Sequence, residues 1–227
     1  MSALPQAQPQ DPEADSAAAA GGAPNAAVEA PAPGRKRPKP GERRVQILQT
    51  LAAMLEQPGA ERITTAALAA RLEVSEAALY RHFASKAQMF EGLIEFIEGS
   101  VFTLVNQITE REPVPAQQVR RIAAVLLQFG EKNPGMVRVM VGDALVLEHE
   151  RLNARMNQFF ERVESQLRVC LRAAAEAASS PTPTVDAQSM ASALTALVVG
   201  RLQRYARSGF KRLPTEHLEP VLARLVQ

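Results

Sequence analysis

The 227-residue chain has no tryptophan, only ten other aromatic residues and one cysteine, and no apolar run near the ~20 residues that a membrane-spanning helix needs. Each shortage excludes something. A lone Cys170 rules out a disulfide framework or a thiolate metal cluster and suits a reducing cytoplasm. No basic segment followed by an apolar core opens the chain, so it carries no secretory signal. Aromatics are 4% while hydrophobic residues are 46%. The interior must therefore be built from Leu, Val, Ile, Ala and Met, a helix-favouring set. An excess of one charge is also missing: 26 Lys and Arg face 24 Asp and Glu, a formal net charge of +2. That total hides a division. Residues 1–34 contain four acids and no base, and Arg35, Lys36, Arg37 and Lys39 then arrive together; without those four acids the remainder stands at +6.

Residues 1–40 hold 8 of the 16 prolines, 12 alanines and no aromatic residue. Such a segment buries too little apolar surface to offset chain entropy, so a disordered tail with a basic end is expected. From Gly41 onward the periodicity is helical. Val45, Leu48, Ala52 and Leu55 form one stripe, stopped by Pro58-Gly59. Short helices are predicted over 65–72 and 76–82. A long one begins after Ser85, where Gln88 completes a capping box by reaching back to the Ser85 backbone, and runs to about 108 with Met89, Leu93, Phe96, Ile97 and Val101 on one side. Further helices are predicted over 116–132, 136–147, 151–178, 185–208 and 215–226. No stretch alternates like a strand. The fold class is all-α: a three-helix unit over 41–85 followed by a larger helical domain of about six helices over 86–227.

Two short helices with the three-residue joint Glu73-Val74-Ser75, placed after a basic cluster, form a helix-turn-helix pattern that lets one helix enter a DNA major groove. Ser75 is a good N-cap, and Glu76 suits the helix dipole. The outer face of the second helix offers Glu76, Ala77, Tyr80 and Arg81, with His82 at its end. Phe83 fits the core; Tyr80 suits either core or phosphate, and Lys86 either phosphate or solvent. The basic run 35–44 serves equally as a solubilising tail or as an arm tracking phosphates.

Thr64 through Lys86, ending in Leu79-Tyr80-Arg81-His82-Phe83 and Ser85-Lys86, resembles the DNA-binding signature of TetR-type regulators. The resemblance implies that Tyr80, His82 and Lys86 hold phosphates while Thr64, Ser75 and Ala77 lie against backbone and base edges, with Thr65, Glu76 and Arg81 completing the DNA-binding set. Glu73 departs from the pattern, standing where the family usually has Gly at a bend of positive φ. The likeness continues through Met89-Phe90, Leu93–Glu98, Phe129–Gly135 and Arg155–Glu164, and from about residue 42 to the end it is similar to the branch of this family that acts in nucleoid occlusion.

That branch implies a homodimer, or two dimers per site, on palindromic double-stranded DNA of the chromosome, in the cytoplasm at the nucleoid. It also implies capture of the C-terminal tail of the division protein FtsZ, antagonism of FtsZ polymers and a block to septum formation. The positions matching its tail-binding groove are Phe96, Val125, Gln128, Lys132 and Asn133. Phe96 shares a stripe with Leu93 and Ile97, so core packing suits it as well. Leu104 and Gln128 replace a basic residue and a glycine common in the branch. A repressor released by a small ligand is the alternative, and an architectural nucleoid protein a third. Apolar patterning on the eighth and ninth helices suggests an intermolecular four-helix bundle. No cofactor, metal or catalytic residue is expected: His82, His149 and His217 lie apart, and Glu148, His149 and Glu150 read as surface charge.

Overall fold

Three helices begin at a proline, where the missing N–H costs nothing: Pro115, Pro134 and Pro183 each occupy the first turn. The computed structural model describes residues 41–57 and 63–226, and these contain nine α-helices and no strand: α1 Glu42–Leu55, α2 Thr65–Arg71, α3 Glu76–Tyr80, α4 Lys86–Arg111, α5 Pro115–Lys132, α6 Pro134–Met140, α7 Glu150–Ala177, α8 Pro183–Arg207 and α9 Leu218–Leu225. The expected tail over 1–40, its basic cluster and the Pro58-Gly59 stop lie outside the described residues.

The helix types match the periodicity, but several boundaries move. Helix α6 ends at Met140, not 147, because Gly142 turns left-handed (φ 85°) into a 3-10 turn over Asp143–Leu145. Helix α9 starts at Leu218, not 215, after His217 adopts φ 52°. Gln88 does cap α4, accepting from the Ala84 N–H at 2.8 Å and donating its own N–H to Ser85 Oγ at 3.2 Å, one residue away from the expected partner. On α1 the core stripe is Ile47, Leu51 and Leu55, with Leu48 and Ala52 on its flank, while Val45 faces solvent.

Helices α7 and α8 pair along their length, α5 packs on α4, α7 and α8, and α6 wedges between α1, α4 and α8. Arg155 makes a two-pronged ion pair with Glu98 (2.7 and 3.1 Å), and Arg151 meets Glu91 at 2.8 Å, so α7 is laced to α4. The Glu98 hydrogen bond outweighs the cost of burial and holds the Arg155 guanidinium above its ordinary pKa. Helix α9 buries Leu218 and Leu222 and leaves Val221 half-buried and Leu225 exposed, and Arg120 of α5 donates to the Val226 carbonyl beyond its end. Both helices of the long pair keep an exposed face, with Val169 on α7 and the small residues Ser189, Ser192, Ala193, Ala196 and Gly200 on α8.

Two glycines set the closeness of the packing. A Cβ on Gly130 would lie 2.5 Å from Leu202 Cδ2, across the α5–α8 seam. One on Gly135 would lie 2.1 Å from the backbone carbonyl oxygen of Ala52, across the seam between α6 and α1. Backbone cannot swing aside as a side-chain tip can. Gly135→Ala should therefore destabilise the protein by about 1–3 kcal/mol, the range for forced overpacking, seen as a lowered thermal midpoint with helicity otherwise retained.

Candidate nucleic-acid interface

The recognition unit is assembled from its caps inward. Thr64 Oγ1 accepts the Ala67 N–H at 3.1 Å and starts α2; Ser75 Oγ accepts the Ala78 N–H at 3.3 Å and starts α3. Between them Glu73 takes φ 54°, the left-handed conformation its glycine-like position requires, and the Val74 N–H reaches the Ala69 carbonyl at 3.0 Å. Ile63, Leu68, Leu72, Leu79 and Phe83 are buried beneath the pair, and Phe83 is thus a core residue. Helix α3 spans five residues, one turn and a half, shorter than the predicted seven.

Glu76, Ala77, Tyr80, Arg81 and His82 are all exposed, and Tyr80 retains 46% of its surface. Thr65 Oγ1 donates to Glu76 Oε2 at 2.6 Å and accepts from the Tyr80 hydroxyl at 3.5 Å, so a polar network ties α2 to α3 on the open face. His82 is fixed through its backbone, whose carbonyl accepts from Arg44 at 3.0 Å, while the Arg44 guanidinium lies 4.1 Å over the Phe83 ring. Arg44 was legible only as one member of a basic run; the contact across 38 residues required the fold.

Lys86 is not free. Its ammonium pairs with Glu148, whose side chain is only 10% exposed, and lies 5.7 Å from the Phe90 ring centroid. The expectation that 148–150 is surface charge holds for the exposed His149 and Glu150 and is corrected for Glu148. Glu148 points inward to α4, and His149 caps α7 by accepting the Arg151 N–H at 3.2 Å through Nδ1. The residues after the 3-10 turn fold back onto the start of α4, a juxtaposition of positions 62 apart that no local spacing announces.

The second set of candidates lies between α4 and α5. Phe96 is 49% exposed, in contrast to its buried neighbours Leu93 and Ile97, and its ring stands 6.2 Å from buried Phe129. Val125, Gln128 and Lys132 follow at helical spacing on α5, Val125 half-buried and the other two exposed. Asn133 has a structural duty: its side-chain amide donates to the Phe129 carbonyl at 2.8 Å, joining the end of α5 to the start of α6. Leu104, two turns along α4 from Phe96, is also exposed. Among the described residues no group of three His, Cys, Asp or Glu side chains is placed to hold a metal ion, and no helix is long and apolar enough to cross a membrane.

A capped two-helix reader under a bundle of long helices defines a TetR-type regulator. Residues 47–93 match the family described as bacterial regulatory proteins of the tetR family, and residues 116–226 match the tetracyclin repressor-like C-terminal domain. Two solved structures share the fold: the regulator PfmR from Thermus thermophilus (TM-score 0.64, 19% identity, 81% of this chain and 95% of that one), and AibR in complex with isovaleryl coenzyme A and operator DNA (TM-score 0.64, 16% identity, 81% and 98%). Closer in sequence are nucleoid occlusion factor SlmA of Photobacterium profundum, 51% identical over 78% of this chain and 90% of that relative, and SlmA of Vibrio vulnificus, 50% identical over 82% and 95%. The chain belongs to the family of nucleoid occlusion factor SlmA.

Two substitutions test this geometry. Glu73→Gly should stabilise the fold by about 1 kcal/mol, since a non-glycine residue in the left-handed region costs about 1–2 kcal/mol and glycine returns part of that as chain entropy; thermal melts read it. Glu148→Gln should raise DNA affinity severalfold by releasing Lys86, whereas Lys86→Ala should lower it and reduce the slope of log affinity against log salt by about one. Fluorescence anisotropy on a selected site across a salt series separates the two.

Proposed function

We propose that the protein, as a homodimer on palindromic chromosomal DNA, antagonises FtsZ polymerisation and so blocks septum formation over the nucleoid. Family membership supports a DNA-binding regulator of this kind, and the relatives are named for nucleoid occlusion. In a twofold dimer built on the α7–α8 face, two copies of α3 would enter successive major grooves about 34 Å apart. Thr64, Thr65, Ser75, Glu76, Ala77, Tyr80, Arg81, His82 and Lys86 would then meet phosphates and base edges. Lys86 would exchange its intramolecular carboxylate for a phosphate oxygen, a contact both longer-ranged and salt-sensitive.

The observation that carries the partner surface is Phe96. A phenylalanine half in solvent, backed by Phe129 and not sunk beside it, offers an apolar anchor at low entropic cost. Val125 and Leu104 continue the apolar floor, Gln128 can hydrogen-bond an extended backbone, and Lys132, exposed at the end of α5, supplies a cation for an acidic residue of the FtsZ tail. Asn133 holds that corner by its bond to Phe129 and need not touch the tail itself.

FtsZ polymers pelleted with protein and a selected palindrome should be lost only when both are present. Lys132→Glu should keep DNA affinity and leave the polymers intact, with tail-peptide binding weakened about tenfold or more. A repressor released by a small ligand would leave polymers untouched under every condition, and that result overturns the proposal.

A further inference from the structure

Away from the α4–α5 groove and the DNA-reading face, a cluster of cations lies where α8 ends. Arg201 and Arg204 of its last turns, with Lys211 and Arg212 of the following segment, line a cleft of about 760 Å³ shared with Leu213, Thr215, Glu216, His217 and Val221. Among the described residues no carboxylate forms an ion pair with Arg204, Lys211 or Arg212. The one acid in the wall, Glu216, is half-exposed and lies 3.7 Å from His217 Nε2. The negative end of the α8 dipole accounts for a cation in the last turn, but its influence fades within that turn and does not reach Lys211 or Arg212.

The cleft is held rigid at a cost. Phe210 and His217 adopt left-handed backbone (φ 62° and 52°), strain that persists only where surrounding contacts over-determine it. Those contacts are present. Ser208 Oγ accepts the N–H groups of Lys211 (3.1 Å) and Arg212 (2.9 Å), and the Phe210 ring packs 5.2 Å from Tyr205. Arg201 donates to the carbonyls of Pro214 (2.9 Å) and Glu216 (2.7 Å), pinning the far wall, while its Nε is buried without a partner. Burial, and then the neighbouring Arg204 charge, lower the Arg201 pKa against the opposing pull of Glu216. Cations crowded so that they disfavour one another are stabilised when an anion enters.

We propose that this cleft binds a small polyphosphate, inorganic or carried on a nucleoside, with Arg204, Lys211 and Arg212 as its phosphate ligands. A concave site of this volume is of ligand size, and three separate cations suit several phosphate groups better than one. Duplex DNA, a rod about 20 Å across, tracks open surfaces and does not need such a recess.

The full chain is titrated calorimetrically at physiological ionic strength with tripolyphosphate, with metal-free ATP, and with sulfate at matched ionic strength. Saturable binding of one polyphosphate per chain, absent for sulfate, is expected; if only tripolyphosphate or only ATP binds, the source is inorganic or nucleoside accordingly and the site stands. Arg204→Gln with Lys211→Gln should weaken binding at least about tenfold while thermal midpoint and DNA affinity hold. Should the double variant fold poorly, Lys211→Gln alone, on an exposed side chain, is expected to weaken binding in the same direction. No saturable binding at millimolar ligand, or unchanged affinity in the variants, overturns the proposal. So does a loss of DNA affinity in the variants matching that of Lys86→Ala, which would make the patch part of the DNA surface.

Discussion

Helix α6 lies against α1 at backbone distance, and that contact ties the DNA-reading unit to the helical bundle. Gly135 makes it possible, because any side chain there would enter the space of the Ala52 carbonyl oxygen. From this seam the rest of the arrangement follows. Helix α1 supports the short α2, on which α3 packs, on one side and α4 on another, and α6 continues into the turn that returns Glu148 to the first residue of α4. The reader is thus a small hydrophobic unit whose orientation is set by a helix belonging to the bundle.

The electrostatics are arranged around the same connection. Lys86 opens α4 at the edge of the reader and is held by a carboxylate from the segment between α6 and α7. DNA binding would compete with an internal ion pair that is part-buried and therefore less screened than a surface pair. Further along the first half of α4 the ion pairs run to α7 through Glu91–Arg151 and Glu98–Arg155. One face of the helix is thereby fixed to the bundle, and Phe96 and Leu104 are left on the face beside α5. The long helix connects the two candidate surfaces along its length, with DNA at its first turn and the proposed partner groove from its third turn onward.

Much of this was legible locally. The N-caps Ser75 and Ser85 and the apolar spacing along the helices are short-range signals, and the helices form in the predicted order although several of their ends move. Even the left-handed backbone at Glu73 was visible as a glycine position occupied by another residue. The failures are equally physical. Helix α6 ends early because one glycine turns left-handed, a choice its neighbours do not dictate. The core stripe of α1 sits one residue round from the apolar stripe chosen by spacing, because what covers a helix depends on the helix it meets. Phe96 has the periodicity of a core residue and is half-exposed, since α5 presents Phe129 behind it and nothing above it.

Helical periodicity from Gly41 onward, an interior with few aromatics and the caps around 64–86 determined by themselves an all-helical protein with a small helix-turn-helix reader. Caps, prolines and periodicity depend on interactions within four residues, which the order of amino acids specifies directly. Only the tertiary structure decided that Glu148 holds Lys86, that Arg44 clamps the end of α3, that α9 buries Leu218 and Leu222 in its own chain, and that Arg201 and Arg204 of α8 meet Lys211 and Arg212 at a cleft. The first two join residues 62 and 38 positions apart, and such meetings depend on how helices cross, which no single helix carries in its own pattern.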